Sequence, residues 1–163
     1  MNSSIFQFFS FLGKKGALFI VSMIPVIELR GAIPLGYALD MGVWETFFIS
    51  VIGNLVPVPF IILLIRPIIE KLKKTKKLSP YVHKFEQKML NKADKVMKYS
   101  ALGLFLFVAV PFPGTGAWSG AVIAALLNMR FKYALPAIAG GVVAAGIIMT
   151  AISFGVSSVI GFF

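Results

Sequence analysis

A chain of 163 residues is long enough for one domain, and this one is 58% hydrophobic, 13% charged and carries a formal net charge of +10. Its mean hydropathy of +0.90 and its long apolar runs place that domain in a bilayer, as an all-α integral membrane protein. Zero cysteines exclude disulfides and thiolate metal sites, while the single histidine, His83, leaves little with which to build a zinc site or a Ser-His-Asp triad. No catalytic residue, metal site or cofactor is assigned, and His83 reads as a surface residue of a charged helix.

The N-terminus lacks the basic region that precedes the apolar core of a cleaved signal; Lys14 and Lys15 follow its apolar residues instead. Residues 1–15 read as a retained, Phe-rich interfacial helix, too short to span about 30 Å of hydrocarbon.

Residues 16–39 form an apolar block interrupted by PVIELRGAIPLG, with Pro25 and Pro34 as breaks and with Glu28 and Arg30 as its only charges. Its exit carries Asp40 and Glu45, which points to the outer side of the membrane. Residues 44–65 are long enough to cross. Residues 66–98 carry eleven basic and three acidic residues, the composition of a cytoplasmic segment. Within them Val82, Phe85, Met89, Ala93 and Val96 recur at helical spacing, opposite Lys84, Lys88, Lys92 and Lys95. That pattern reads as an amphipathic helix lying on anionic lipid headgroups, with nucleic acid a remote partner.

The block from Tyr99 to Met129 is uncharged, and PFPGTG, with breaks at Pro111 and Pro113, divides it into two arms. Neither arm spans alone, at about 1.5 Å per residue. One broken crossing and a re-entrant hairpin both fit; Lys95 and Lys98 before it and Arg130 and Lys132 after it favour the hairpin. The last block, from Tyr133, is uncharged to Phe163 and spans. Its AGGVVAAG stretch offers a small-residue face, and a homodimer through Gly140, Gly141 and Gly146 is expected.

Shifting the sequence by 88 residues superposes Phe19 on Phe107, Pro25 on Pro113, Leu39-Asp40-Met41 on Leu127-Asn128-Met129 and Gly53 on Gly141. The order of parts matches too: a broken block, a short polar exit, then a spanning helix. The expected plan is an inverted repeat of a re-entrant helical hairpin followed by a transmembrane helix, with the basic helix between the halves. Residues 16–65 are the first repeat and 99–163 the second, within a single membrane domain of residues 1–163.

Ionisable groups at membrane depth are site candidates. Arg30 can grip a phosphate through two parallel hydrogen bonds, and a desolvated Glu28 can exchange a proton during transport. Gly31 accompanies them, while Gly114, Thr115 and Gly116 can present backbone N–H groups to an anion at the start of the following helix. The competing reading is that Glu28 and Arg30 only pair with each other or cap broken helix ends.

ELRGAIPLGYALDMG, a spanning helix, a Lys-rich middle and PFPGTGAWSGAVIAALL together resemble the small multidrug export protein family, itself similar in plan to the DedA/VTT membrane proteins. DedA-type resemblance implies two facing re-entrant hairpins, embedded acidic and arginine residues, and proton-coupled movement of lipids including undecaprenyl phosphate. The chain departs from that pattern in being shorter and in lacking an arginine inside PFPGTG, the nearest being Arg130.

The reading is therefore a small secondary transporter or lipid translocase of a bacterial cytoplasmic membrane, moving an amphipathic anion such as undecaprenyl phosphate. A multidrug cation exporter working through Glu28 is the alternative, and a non-transporting assembly or lipid-organising factor a third. An intramembrane enzyme is disfavoured by the shortage of His, Cys and paired acids in the hairpins.

Overall fold

A computed structural model describes residues 3–75, 78–112 and 114–160, the side chains of 3–12, 94–98 and 156–160 excepted. The described residues form eight helices and no strand: α1 (Ser3–Met23), α2 (Glu28–Ala38), α3 (Val43–Leu55), α4 (Pro57–Lys73), α5 (Ser79–Lys92), α6 (Asp94–Ala109), α7 (Ala117–Leu126) and α8 (Phe131–Ile160). Two stretches, Val43–Lys73 and Phe131–Gly155, are long and apolar enough to cross a membrane, and only 39% and 33% of their apolar windows are buried. A core helix of a soluble protein would bury most of such a surface. Here Phe48, Ile52, Phe60, Leu63, Ile147 and Ile152 stand more than half exposed, which suits a lipid solvent.

The chain divides into two compact units, Met1–Val56 with Val142–Phe163, and Pro57–Gly141. In the first, α1 breaks at Gly13 (φ 65°) and α2 returns alongside it. The Lys14 ammonium donates to the Leu39 carbonyl at 2.7 Å, and Lys15 pairs with Glu45. The two ends of the 16–39 block are thus together, so that block is a helical hairpin. Leu18 and Ala32, both fully buried, form its core with Met41. In the second unit Gly120 of α7 packs where a Cβ would meet Val108 and Leu104 of α6.

Backbone devices recur 88 residues apart. Helix α2 ends with Asp40 at φ 55° and α7 with Asn128 at φ 54°. Met41 N–H donates to Gly36 O and Asp40 N–H to Tyr37 O, both at 3.0 Å; Met129 donates to Ala124 at 3.0 Å and Asn128 to Ala125 at 3.1 Å. Each is a Schellman end, in which a left-handed residue lets the following amide reach back to an orphan carbonyl. Asp and Asn tolerate that conformation better than most side chains. Gly53 and Gly141 recur likewise. A Cβ on Gly53 would lie 2.8 Å from the Phe19 carbonyl oxygen, and one on Gly141 2.8 Å from that of Phe105.

Several expectations are corrected. Pro34 is no break; it lies inside α2, where it removes only the amide that would bond the Arg30 carbonyl. The interruption of the first block is residues 24–27, which include Pro25. The second interruption does contain Pro111, while Pro113 lies outside the described residues. The apolar stretch that starts at residue 43 continues in α4 to Lys73, past the expected boundary at 65, with Arg66 and Glu70 forming an i,i+4 pair beyond that boundary. The basic amphipathic helix ends at Lys92, with buried Ala93 as its C-cap, so Val96 belongs to α6. Residues 1–2, 76–77 and 161–163 lie outside the described residues, as do the side chains that would test an interfacial N-terminal helix.

Candidate functional site

Helix α2 opens on Glu28, whose amide donates to the Ile24 carbonyl at 2.8 Å. Glu28 is 6% exposed and has φ 50°. A left-handed non-glycine residue costs about 1–2 kcal/mol. The position 88 residues on is Gly116, the N-cap of α7, with φ 138°. A carboxylate therefore stands where the backbone favours glycine, and a glycine with positive φ stands 88 residues on. Strain of this kind concentrates at functional positions.

Arg30 lies half-buried two residues along α2, within the electrostatic reach of Glu28. The N-terminal turn of α2 favours the Glu28 carboxylate over the arginine, because the helix macrodipole is positive there. Gly31, inside α2, donates its amide to the Ile27 carbonyl at 3.0 Å, and a Cβ on it would collide with the Ile27 side chain. Its role in the fold is close packing over the turn, and its amide is already used.

The PFPGTG loop spends its polar groups on itself. The Thr115 amide donates to Phe112 O at 3.1 Å, and its hydroxyl lies 2.8 Å from Phe112 O and 2.9 Å from Val110 O. Gly114, at φ 82°, gives its carbonyl to the Lys92 ammonium at 2.8 Å. Lys92 thus straps α5 to the loop. The expected anion cradle of Gly114, Thr115 and Gly116 loses the Thr115 amide, while Gly116 remains at the start of α7. The sequence-predicted residues fall in separate units, Glu28, Arg30 and Gly31 in the first and Gly114, Thr115 and Gly116 in the second.

Sequence reasoning missed a polar row on α3. Thr46, Ser50 and Asn54 are at most 2% exposed, and Thr46 Oγ1, Ser50 Oγ and Asn54 Oδ1 make no hydrogen bond. Their i, i+4, i+8 spacing inside an apolar span was the available signal. Each unmade bond of a buried polar group costs roughly 1–3 kcal/mol. Ser22 of α1 shows the usual remedy, its hydroxyl donating to the Phe19 carbonyl at 2.6 Å.

The row faces α2. A Cβ on Gly36 would strike Thr46, and α2 and α3 run antiparallel across the turn at residues 39–42. Stepping away from that contact at equal rise puts Ala32 level with Ser50 and Glu28 level with Asn54. All four are buried. The second unit repeats the register, since a Cβ on Gly120 would lie 3.8 Å from Ile138. There, however, the positions matching Thr46 and Ser50 are Ala134 and Ile138, fully buried and apolar.

The small-residue face of α8 is used within the chain. Cβ atoms on Gly140 and Gly141 would meet Phe105, and one on Gly146 would meet Phe47, Val51 and Leu29. A homodimer contact through these glycines is thereby corrected; the face is already filled by the chain's own side chains.

A family model described as "Putative small multi-drug export protein" matches residues 28–148. The match begins at Glu28, just after the first hairpin's turn at residues 24–27, and takes in the second hairpin's turn and the polar row. No curated protein and no solved structure matches the chain.

Proposed function

The chain belongs to the small multi-drug export protein family, and from that premise we propose that it is a proton-coupled secondary transporter whose working pair is Glu28 and Arg30. The observation that carries this reading is a buried carboxylate held at a left-handed backbone position, with a positive-φ glycine 88 residues on. Its side chain is needed for more than folding. Arg30 is the more accessible of the two and meets an incoming amphipathic anion first, binding it through its planar fork. The anion then competes with Glu28 for the guanidinium, and a carboxylate stripped of its counter-charge in a poorly solvated site takes up a proton. A polyprenyl phosphate has the required chemistry. A cationic drug exchanged directly on Glu28 is the second reading, favoured by the family description.

The setting of this reading is a bacterial cytoplasmic membrane, with residues 66–98 cytoplasmic and both hairpins re-entrant in an inverted repeat. The recurrence of backbone devices at 88-residue spacing supports the repeat. Membrane lipids contact the apolar faces, anionic headgroups meet α5, and a second copy of the chain completes the pathway. No cofactor is assigned.

The test is pH-driven flux in proteoliposomes, with a labelled lipid phosphate and a cationic dye as alternative probes. Arg30→Lys keeps the charge but lowers phosphate flux, because an ammonium cannot reproduce the fork. Glu28→Gln keeps the fold and abolishes dependence on the pH gradient. Unfolding of both single variants, with fold and flux recovered in the exchange Glu28→Arg with Arg30→Glu, would show a structural ion pair and defeat the transport reading.

A further inference from the structure

Thr46 Oγ1, Ser50 Oγ and Asn54 Oδ1 make no hydrogen bond, and the contact that buries them is dry. Thr46, Ser50 and Ala32 are 0% exposed, and a Cβ on Gly36 would overlap Thr46. With no space for water there, a partner has to come from the protein itself. The two hydroxyls have one within their own helix, since a hydroxyl can donate to a carbonyl one turn back, as Ser22 does to Phe19. The amide oxygen has none. It only accepts, and the N–H groups of a helix interior are spent on backbone carbonyls. Asn54 Oδ1 therefore needs a donor from a facing element.

The register of α2 against α3 brings Glu28 level with Asn54, and the two helices are still together there. Leu29 Cδ1 and Val51 Cγ2 lie 3.3 and 3.2 Å from a single point, the Cβ position of Gly146. As a carboxylate, Glu28 sets acceptor against acceptor; as a carboxylic acid it carries an O–H that can donate. We propose that Asn54 is the partner of the protonated state of Glu28, as Arg30 is of the ionised state, so that proton uptake transfers the carboxyl from the guanidinium to the amide. The inference rests on the reading of Glu28 as the proton-exchanging group and adds how its proton is held and how Arg30 is released to an anion. One proton from the aqueous phase forms one O–H bond on the carboxyl. No other covalent bond changes, and no electrons move.

The charged surroundings of Glu28 leave this exchange to the three residues. Arg30 is its neighbour on α2, and Tyr37 lies at the other end of that helix. On α1 the titratable residues are Lys14 and Lys15, bound to Leu39 and Glu45 at that same other end. Glu45 is the only titratable residue of α3, and residues 24–27 and 142–155 have none. The residues 88 positions on from Glu28 and Asn54 are Gly116 and Val142. Where the acid is missing, so is the amide.

The test is infrared spectroscopy of the full chain in bilayers of phosphatidylethanolamine and phosphatidylglycerol, recorded across a pH titration. The C=O band of the protonated carboxyl is identified by its loss in Glu28→Gln. In the parent it lies below the position of a carboxylic acid that has no hydrogen-bond acceptor. Asn54→Val, which sets there the residue found 88 positions on, and Asn54→Leu both move the band to higher wavenumber. Ser50→Ala, one turn away in the same row, leaves it in place. A band unmoved in both Asn54 variants overturns the assignment while leaving Glu28 as the coupling group, as does an equal displacement in Ser50→Ala. A displacement confined to the carboxylate bands also overturns it, because the amide would then be donating to the ionised form. Absence of the acid band at every pH shows that Glu28 does not titrate, and removes the coupling reading together with its partner.

Discussion

Substituting alanine at Gly53 tests the packing that holds the first hairpin to α3. The new Cβ would lie 2.8 Å from the Phe19 carbonyl oxygen and would overlap the Ser22 hydroxyl that the same carbonyl accepts. The hydroxyl can rotate away, but the carbonyl belongs to helical backbone and moves only with α1. Overpacking of this kind costs about 1–3 kcal/mol, and the displaced Ser22 bond about 1 kcal/mol more. Alanine returns up to about 1 kcal/mol as a better helix former than glycine. The net expectation is a loss of about 1–3 kcal/mol. Gly155→Ala is the control: nothing lies within 4 Å of its Cβ position, so only the propensity gain remains. Thermal unfolding in detergent, followed by circular dichroism, compares the two variants with the parent. A Gly53→Ala protein melting as high as Gly155→Ala would refute the close approach of α1 and α3.

Replacing Asp40 or Asn128 by alanine, each at a left-handed position, lowers stability by about 1 kcal/mol, whereas glycine there does not; the same thermal melts read this, and equal behaviour of alanine and glycine would count against the Schellman ends. Cysteines placed at residues 40 and 130 react with an impermeant reagent from opposite sides of the membrane, and residues 74 and 130 from the same side. Labelling of 40 and 130 from one side would replace the inverted plan with parallel halves.

The broken blocks were legible because prolines and glycines cluster in PVIELRGAIPLG and PFPGTG, and the recurring helix ends because Leu39-Asp40-Met41 and Leu127-Asn128-Met129 are nearly identical. The structure adds that these triplets are helix ends with the same three hydrogen bonds. Pro34 misled because one missing amide does not stop a helix whose other bonds are intact. The α8 glycines misled because a small-residue face declares close approach without saying to whom, and here the neighbours belong to the same chain. The row on α3 was passed over for a different reason. Serine, threonine and asparagine carry no charge, so three of them barely lower the hydropathy of a span, and their alignment emerges only from counting in fours.

The second unit acts as an internal control on the first. Its hairpin closes with the same Schellman end, packs a glycine against the same kind of carbonyl, and keeps the register of its return arm, with Gly116 and an apolar Ala134 and Ile138 at the matching positions. That half shows that the arrangement folds with no carboxylate at the turn and no oxygen on the facing helix. In the first unit the same positions hold a strained glutamate and three unbonded polar groups, each of which weakens folding by desolvation. Stability cannot be the reason for them, since the apolar version is available in the same chain. Whatever the protein does with protons or polar ligands is therefore to be sought along α2 and α3, from Asp40 to Glu28.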